Sequence, residues 1–275
     1  MPKTTSTEQS GPAGLNRYGT VMLRIFREKR PGKVDSFLFE REDIVRAAEA
    51  EGIKLPKNLG DVVYSFRYRA KLPGEILATQ PEGFEWIIEG AGKARYRFRL
   101  SRINRIEPRT DLAEIKLPDS TPEIIGAHAL SDEQGLLAKT RYNRLIDTFL
   151  GVTAHSLQNH LRTTVPGIGQ IEIDEVYLAV DKFGRQFVVP VQAKGGNDKH
   201  GVIQTLQDIA WCRKALPDLV CRPVSVQFVS SDKIAMFELT EENGSVKVVE
   251  ERHYRLVPAK KITPRDLERY SLHAH

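Results

Sequence analysis

Apolar and polar residues alternate with two different periods along the chain, and the period changes near residue 84. Before that point the apolar positions recur at helical spacing and predict one helix within 36–53 and another within 57–74. The apolar positions of the two stripes are Ile44, Val45, Ala48 and Ile53, then Leu59, Val62, Val63 and Phe66. The segment 17–29 ahead of them fits a short strand or a helix.

From residue 84 the period becomes two, which is the period of a β-strand. Apolar residues at 84, 86 and 88 alternate with acids, and those at 96, 98 and 100 alternate with arginines beyond a Gly-Ala-Gly turn. This pattern predicts a β-hairpin with one apolar and one basic face. Two helices followed by a hairpin are the order of a winged-helix domain, in which one helix enters the major groove of DNA and the hairpin touches the backbone.

The second half of the chain mixes both periods. Its predicted elements are, in order, helices over 131–151 and 153–165, strands over 169–180 and 186–194, a helix over 200–216, and strands over 223–231, 233–244 and 245–258. A capping box of Ser131 with Gln134 fits the start of the first helix. The order predicts an α/β fold, with a mixed central sheet flanked by helices, behind an N-terminal α+β domain.

Composition divides the chain into the same two parts. Residues 1–16 have no apolar core and are expected to be a disordered lead-in, and residues 111–125, rich in Pro, Asp and Thr, are the predicted linker. The first domain, 17–110, and the second, 126–275, differ in charge. Residues 1–110 hold 21 Lys and Arg against 14 Asp and Glu, whereas residues 111–275 hold 20 against 22. A basic first domain favours a polyanionic partner, most simply double-stranded DNA.

Two classes of protein are disfavoured by composition. No apolar run approaches the roughly 20 residues that a membrane-spanning helix needs, and no apolar signal-peptide core is present. Cys212 and Cys221 lack metal-ligand spacing. They fit free thiols better than a disulfide, and we therefore expect a cytoplasmic protein with no membrane partner.

Basic residues are densest between 93 and 109, where seven Lys and Arg accompany a single acid. Others cluster at the end of the second predicted helix. The candidate DNA-binding residues are Arg67, Arg69, Lys71, Lys93, Arg95, Arg97 and Arg99. The alternative is that these side chains form a solvated strand face without a ligand.

Polar side chains interrupt the two apolar strands at 169–180 and 186–194. Glu172 and Asp174 share one face of the first strand, and Gln192 and Lys194 share one face of the second. Two carboxylates and an amide oxygen are ligands that suit Mg²⁺, and a nearby lysine can orient water or stabilise developing negative charge. The alternative is a structural salt bridge between Asp174 and Lys194. The continuous apolar run FVVPV argues against that alternative, because buried charges are costly unless they are paired or metal-bound.

The PD-(D/E)XK nuclease superfamily has an Asp on one strand, a short hairpin, and then Glu-x-Lys on the next strand, and the segments EIDEVYLAV and FVVPVQAKGG resemble this signature, over about residues 130–240. The resemblance implies that Asp174 is the central metal ligand, that Gln192 and the backbone carbonyl of Ala193 also face the metal, and that Lys194 activates the attacking water. Glu172 is then a second acid. Gln192 departs from the motif, which has Glu or Asp there, and the loss of a negative charge weakens metal affinity.

Some members of this superfamily add an acid from an upstream helix, which Glu133 or Asp147 could supply. The resemblance therefore implies a Mg²⁺-dependent endonuclease, most specifically a homodimeric type II restriction endonuclease with a cognate DNA methyltransferase acting on the same site. The alternatives are a DNA-repair or junction-resolving nuclease, and a non-catalytic DNA-binding regulator with a degenerate nuclease domain.

Overall fold

The computed structural model of the chain describes residues 17–68, 70–102, 105–128, 132–195 and 200–272. At residues 67, 68 and 105 it describes the backbone alone. The chain divides into two compact units, one formed by residues 1–103 with 166–169 and the other by residues 104–165 with 170–275.

The first unit combines four helices with a three-stranded sheet within the described residues. Its elements are α1 (Arg17–Lys29), β1 (Ser36–Glu40), α2 (Arg41–Ala50), α3 (Gly60–Tyr68), α4 (Gly74–Leu77), β2 (Phe84–Gly90) and β3 (Arg95–Arg102). The predicted hairpin is confirmed, since β2 and β3 pair antiparallel from Phe84 with Arg102 to Gly90 with Tyr96. The segment 17–29 is a helix, and β1 also pairs antiparallel with β3, which gives the order β1-β3-β2.

Alternation along these strands places the large apolar side chains on one face. Phe37, Trp86 and Phe98 come from the three strands and pack around Phe26 of α1, with ring centroids 5.1 to 6.3 Å apart. Burying aromatic side chains is a large part of the hydrophobic stabilisation available to a unit of this size. The polar face of the hairpin is therefore the face that carries its arginines.

The second unit is mixed α/β. Its elements are β4 (Arg105–Ile106), β5 (Glu114–Pro118), α5 (Glu123–His128), α6 (Glu133–Tyr142), α7 (Leu145–Leu150), β6 (Thr153–Val165), β7 (Gly169–Val180), β8 (Gln186–Lys194), β9 (His200–Gly201), α8 (Val202–Ala215), β10 (Val220–Cys221), β11 (Val224–Phe228), β12 (Lys233–Glu242), β13 (Ser245–Val257) and α9 (Pro264–Ser271). The large sheet has the order β5-β13-β12-β11-β8-β7-β6, with β10 pairing to β8. The predicted mixed sheet flanked by helices is confirmed.

Helices cover both faces of this sheet. Val189, Val191 and Ala193 of β8 pack into one core cluster with Leu136 and Leu145 of α6 and α7. Side chains at even positions of β8 point to the opposite face, where α8 lies. Strands β7 and β8 pair antiparallel, whereas β8 and β11 are parallel, so helix α8 is the crossover between parallel neighbours.

The helix predicted over 153–165 is wrong, because these residues form β6. Ala154, Leu157, Leu161 and Val165 recur at helical spacing, yet Leu157 is 54% exposed, so the spacing does not mark a buried stripe. The β-branched residues at 163–165 favour an extended chain, and pairing with β7 supplies the backbone hydrogen bonds. The helix predicted over 131–151 divides into α6 and α7, because Arg144 adopts a left-handed conformation with φ of 49°.

The predicted linker 111–125 also differs from the structure. It contains β5, which pairs parallel with β13 from Glu114 with His253 to Pro118 with Val257, and the beginning of α5. Short segments rich in Pro and Asp resemble a linker by composition, but this one is an edge strand of the large sheet. The cap of α6 is Asp132, whose side chain accepts from the Gly135 N–H, while Ser131 lies outside the described residues.

Within the described ranges, none of the helices is both long and apolar enough to cross a membrane.

Candidate active site

Asp174 lies on β7 with its side chain almost buried, at 9% exposure. Its Oδ2 accepts a hydrogen bond of 2.8 Å from the backbone N–H of Ala193 on the neighbouring strand. Burial raises the pKa of this carboxyl above its ordinary value, and the positive charge of Lys194 acts in the opposite direction. The carboxylate of Asp174, the predicted central acid, is therefore hydrogen-bonded to the strand that carries Gln192 and Lys194.

Lys194 is the last residue of β8, and its Nζ forms an ion pair of 3.0 Å with Oε1 of Glu133 at the start of α6. The two backbones are close here, since a Cβ built on Gly195 would lie 3.4 Å from the carbonyl carbon of Asp132. Lys194 is mostly buried, at 11% side-chain exposure, and Glu133 is 39% exposed. Among the described residues, the ion pair of Lys194 is thus with Glu133 and not with Asp174.

Of the two upstream acids, the structure brings only Glu133 to this place. Asp147 instead accepts from the Ala154 N–H at 3.0 Å and pairs with Arg144, so that it fixes the end of α7. Glu133 also acts on Asp174, because its negative charge contributes to the raised pKa of the Asp174 carboxyl.

Gln192 is buried between β7 and α8. Its Nε2 donates to the backbone carbonyl of Glu172 at 3.1 Å and to both carboxylate oxygens of Asp208 at 3.1 and 3.2 Å. Its Oε1 lies 3.4 Å from Nε2 of Gln204. The amide of Gln192 therefore lies on the strand next to Asp174, as predicted, and its nitrogen donates to Glu172 and Asp208.

Asp208 was missed by sequence reasoning. It is 1% exposed, and burial raises the pKa of its carboxyl well above the ordinary value. The sequence could have indicated this residue. Helix α8 buries Thr205, Ile209 and Cys212, and residue 208 lies on the same face of the helix. A carboxylate on the buried side of a helix is rare enough to require a partner.

Glu172 is turned toward β6 rather than toward Lys194. Its Oε1 lies 3.2 Å from Arg162 and 3.6 Å from Nδ1 of His160, and its side chain is 36% exposed. The structure therefore supports Glu172 as a backbone acceptor for Gln192 and places its carboxylate in a surface ion pair.

The basic residues of the hairpin are partly paired with acids. Arg95 bonds Glu40 at 3.1 Å, and Arg97 and Arg99 both bond Glu89, at 3.2 and 3.1 Å. Lys71 and Lys93 are exposed. Arg69 and the side chain of Arg67 lie outside the described residues.

The donors at the end of β8 suit a hard cation. They are the Asp174 carboxylate, the amide oxygen of Gln192 and the carbonyl of Ala193, all oxygen atoms of the kind that Mg²⁺ prefers. Burial disfavours the charged form of Asp174, and a bound cation would offset that cost. The described residues include no cluster of three or more His, Cys, Asp or Glu side chains arranged to hold a metal, so a cation here depends on the amide and backbone oxygens.

Comparison of the chain with family models, curated proteins and solved structures found no match.

Proposed function

We propose that the chain is a Mg²⁺-dependent DNA endonuclease of the PD-(D/E)XK type, which hydrolyses phosphodiester bonds in duplex DNA. One observation carries the proposal. Asp174, bonded to the Ala193 N–H, and Lys194, paired with Glu133 from α6, lie at the same end of the β7–β8 hairpin. This arrangement combines the acid and the lysine of the resemblance with the helical acid that some members of the superfamily add.

One set of side chains would bind the metal ion, and a second set would position the attacking water. Asp174, Gln192 and the carbonyl of Ala193 would hold Mg²⁺, which would supply Lewis-acid stabilisation of negative charge at the phosphate. Lys194 orients the attacking water and stabilises negative charge as it develops. Glu133 holds the ammonium of Lys194 in place, since a buried lysine needs a partner.

The N-terminal unit supplies DNA binding in this proposal. Its element order and the pairing of β1 with β3 and of β3 with β2 support a winged-helix domain, with α3 as the helix that enters the major groove. The exposed Lys71 and Lys93 then contact phosphates. When DNA binds, Arg95, Arg97 and Arg99 leave their ion pairs with Glu40 and Glu89 and bind phosphates instead.

Within this class, a type II restriction endonuclease is the most specific proposal. Cutting both strands of a duplex calls for two copies of the site, which a homodimer provides, and a cognate DNA methyltransferase would protect host DNA at the same sequence. The cytoplasm is the compartment that this function implies, and there Cys212 and Cys221 stay free thiols.

A DNA-binding regulator with an inactive nuclease domain is the second candidate, and Gln192 favours it. An amide in place of the acid removes one negative charge from the cation site, which weakens cation binding. A repair or junction-resolving nuclease would use the same site on branched DNA.

Incubation of the purified full chain with plasmid DNA and Mg²⁺, in parallel with EDTA, tests the proposal. Discrete fragments that require Mg²⁺ are the expected result and identify restriction. Selective cutting of a four-way junction identifies a junction-resolving nuclease. Duplex binding with no cutting of either substrate overturns the nuclease proposal in favour of the regulator.

A further inference from the structure

The amide of Gln192 stands where the motif has an acid. A carboxylate presents an oxygen whichever way it turns, but an amide presents either an oxygen or an NH₂ group, and only the oxygen binds a cation. A glutamine at this position therefore works as a ligand only if something fixes which end faces the cation.

The hydrogen-bond partners of Gln192 determine the direction in which its amide nitrogen points. Three acceptor oxygens lie within 3.2 Å of Nε2, two from the Asp208 carboxylate and one from the backbone of Glu172. The oxygen end instead faces a donor, Nε2 of Gln204, at 3.4 Å. A reversed amide would place its oxygen against the Asp208 and Glu172 acceptors and lose these hydrogen bonds.

Burial makes this preference strong. Gln192 and Asp208 are each 1% exposed, so water does not replace a lost hydrogen bond at either side chain. Asp208 is itself almost out of reach of solvent, and it accepts from the Gln192 nitrogen through both of its oxygens.

We propose that Asp208 is a positioning residue that holds the nitrogen end of the Gln192 amide, so that the oxygen is the end left to bind a cation. This inference rests on the proposed function. It also accounts for the departure from the motif, because a glutamate at 192 would bring a second carboxyl group to about 3 Å from the buried Asp208 carboxyl, where the two acids cannot both carry a charge without strong repulsion. Gln192 and Asp208 are thus a matched donor and acceptor.

An exchange of donor and acceptor tests the pair without metal. In EDTA, Gln192→Glu should melt several degrees below the wild type because it opposes two carboxylates. The double variant Gln192→Glu with Asp208→Asn should recover most of that loss, since the amide introduced on α8 can donate to the carboxylate introduced on β8 and restore the hydrogen bond. Thermal melting of the full chain gives both values.

Mg²⁺ titration of the same melting transitions tests the orientation of the amide, independently of nuclease activity. Asp208→Ala should need about 10- to 100-fold more Mg²⁺ for half of the maximal stabilisation, a range typical when the partner that orients a metal ligand is removed. Asp208→Asn, whose oxygen can still accept from Gln192, should lose less. Asp218→Asn, which removes an exposed carboxylate after α8, is the matched control.

Three results separate the positioning role from the nuclease function. If the double variant melts no higher than Gln192→Glu, or if Asp208→Ala responds to Mg²⁺ like the wild type, the positioning role is overturned while the nuclease proposal stands. If Asp208→Asn loses as much as Asp208→Ala, Asp208 acts through its charge and the positioning role is again overturned. A wild type that neither responds to Mg²⁺ nor cuts DNA overturns the proposed function, and this inference with it.

Discussion

Asp174 and Glu175 are adjacent acids on β7 with opposite surroundings. Glu175 is fully buried on the face toward α6, and its carboxylate is paired with Arg141 at 3.0 Å and with the Ser156 hydroxyl at 2.6 Å. Asp174, on the other face, is desolvated and receives one N–H from Ala193. Glu175 therefore has the partners of a structural acid, and Asp174 is the one with capacity left for a ligand.

This contrast predicts the stability of two neighbouring variants. Glu175→Ala removes a fully buried carboxylate together with its bonds from Arg141 and Ser156 and should lower the free energy of unfolding by roughly 2 kcal/mol. Glu172→Ala removes a partly exposed pair and should cost less than about 1 kcal/mol. Urea denaturation in EDTA measures both, and equal losses in the two variants would contradict the assignment of faces.

The motif residues Asp174, Gln192 and Lys194 could be placed from the sequence because strand alternation and one short hairpin determine where they lie. Asp208 and Glu133 could not be placed in that way. Both reach the site through the packing of helices against the sheet, which depends on crossover geometry and not on local spacing. The ion pair between Glu172 and Arg162 of β6 could not be predicted either, because residues 153–165 were predicted to be a helix.

At the scale of elements, β5 is held to the sheet by charge as well as by backbone pairing. Glu114 accepts from Nε of Arg255 at 2.6 Å and from Nζ of Lys233 at 3.0 Å, and these partners lie on β13 and β12. The Arg255 hydrogen bond lowers the pKa of Glu114 to about 2, although burial acts in the opposite direction. A segment with the composition of a linker is thereby fixed to two strands.

The pKa of Glu114 predicts a pH-dependent contribution to stability. Because the folded-state pKa is depressed, the contribution is fully present above the unfolded value near 4.5 and disappears as pH falls toward about 2. Glu114→Gln should therefore lower the free energy of unfolding by about 1 kcal/mol at pH 7 and by progressively less below pH ~4.5.

Chemical denaturation over this pH range checks the expectation, with Glu123→Gln on the exposed side of α5 as the control. A difference between Glu114→Gln and the wild type that stays constant from pH 7 to the lowest pH at which both fold would contradict it.

Elements with a clear apolar pattern and a sharp boundary were predicted correctly. The β2–β3 hairpin alternates with a period of two, β7 and β8 are apolar runs joined by a glycine-containing turn, and α8 is a long, largely buried segment that ends before Pro217. Strand β6 is mostly exposed and carries no buried stripe to identify it, and β5 has only five residues. For both, pairing with a distant strand decides the conformation, and that information is not local.

At the scale of the whole molecule, charge separates the two units as the sequence suggested. The excess of positive charge lies in residues 1–110, whereas the proposed cation site and its acids lie in the second unit. The proposed function places affinity for DNA in the first unit and hydrolysis in the second, so that variants should affect one without the other.

Binding should follow the basic residues of the first unit. Replacing Lys71 and Lys93 by Glu should weaken duplex binding and reduce the slope of log K against log salt by about 1 for each phosphate that is no longer neutralised. Lys260 and Lys261, exposed near the C-terminus, provide the matched charge reversal. Fluorescence anisotropy at several salt concentrations measures the slopes, and equal losses in the two double variants would show a nonspecific effect of net charge.

The most direct test of the proposed nuclease site is the rate of Mg²⁺-dependent plasmid cleavage by Asp174→Ala and Lys194→Ala, measured beside duplex affinity. We predict at least a roughly 100-fold loss of rate in both, with affinity close to wild type. Lys247→Ala, at an exposed lysine of β13, should cut normally. Cleavage at the wild-type rate by both site variants would contradict the assignment of Asp174 and Lys194 to catalysis.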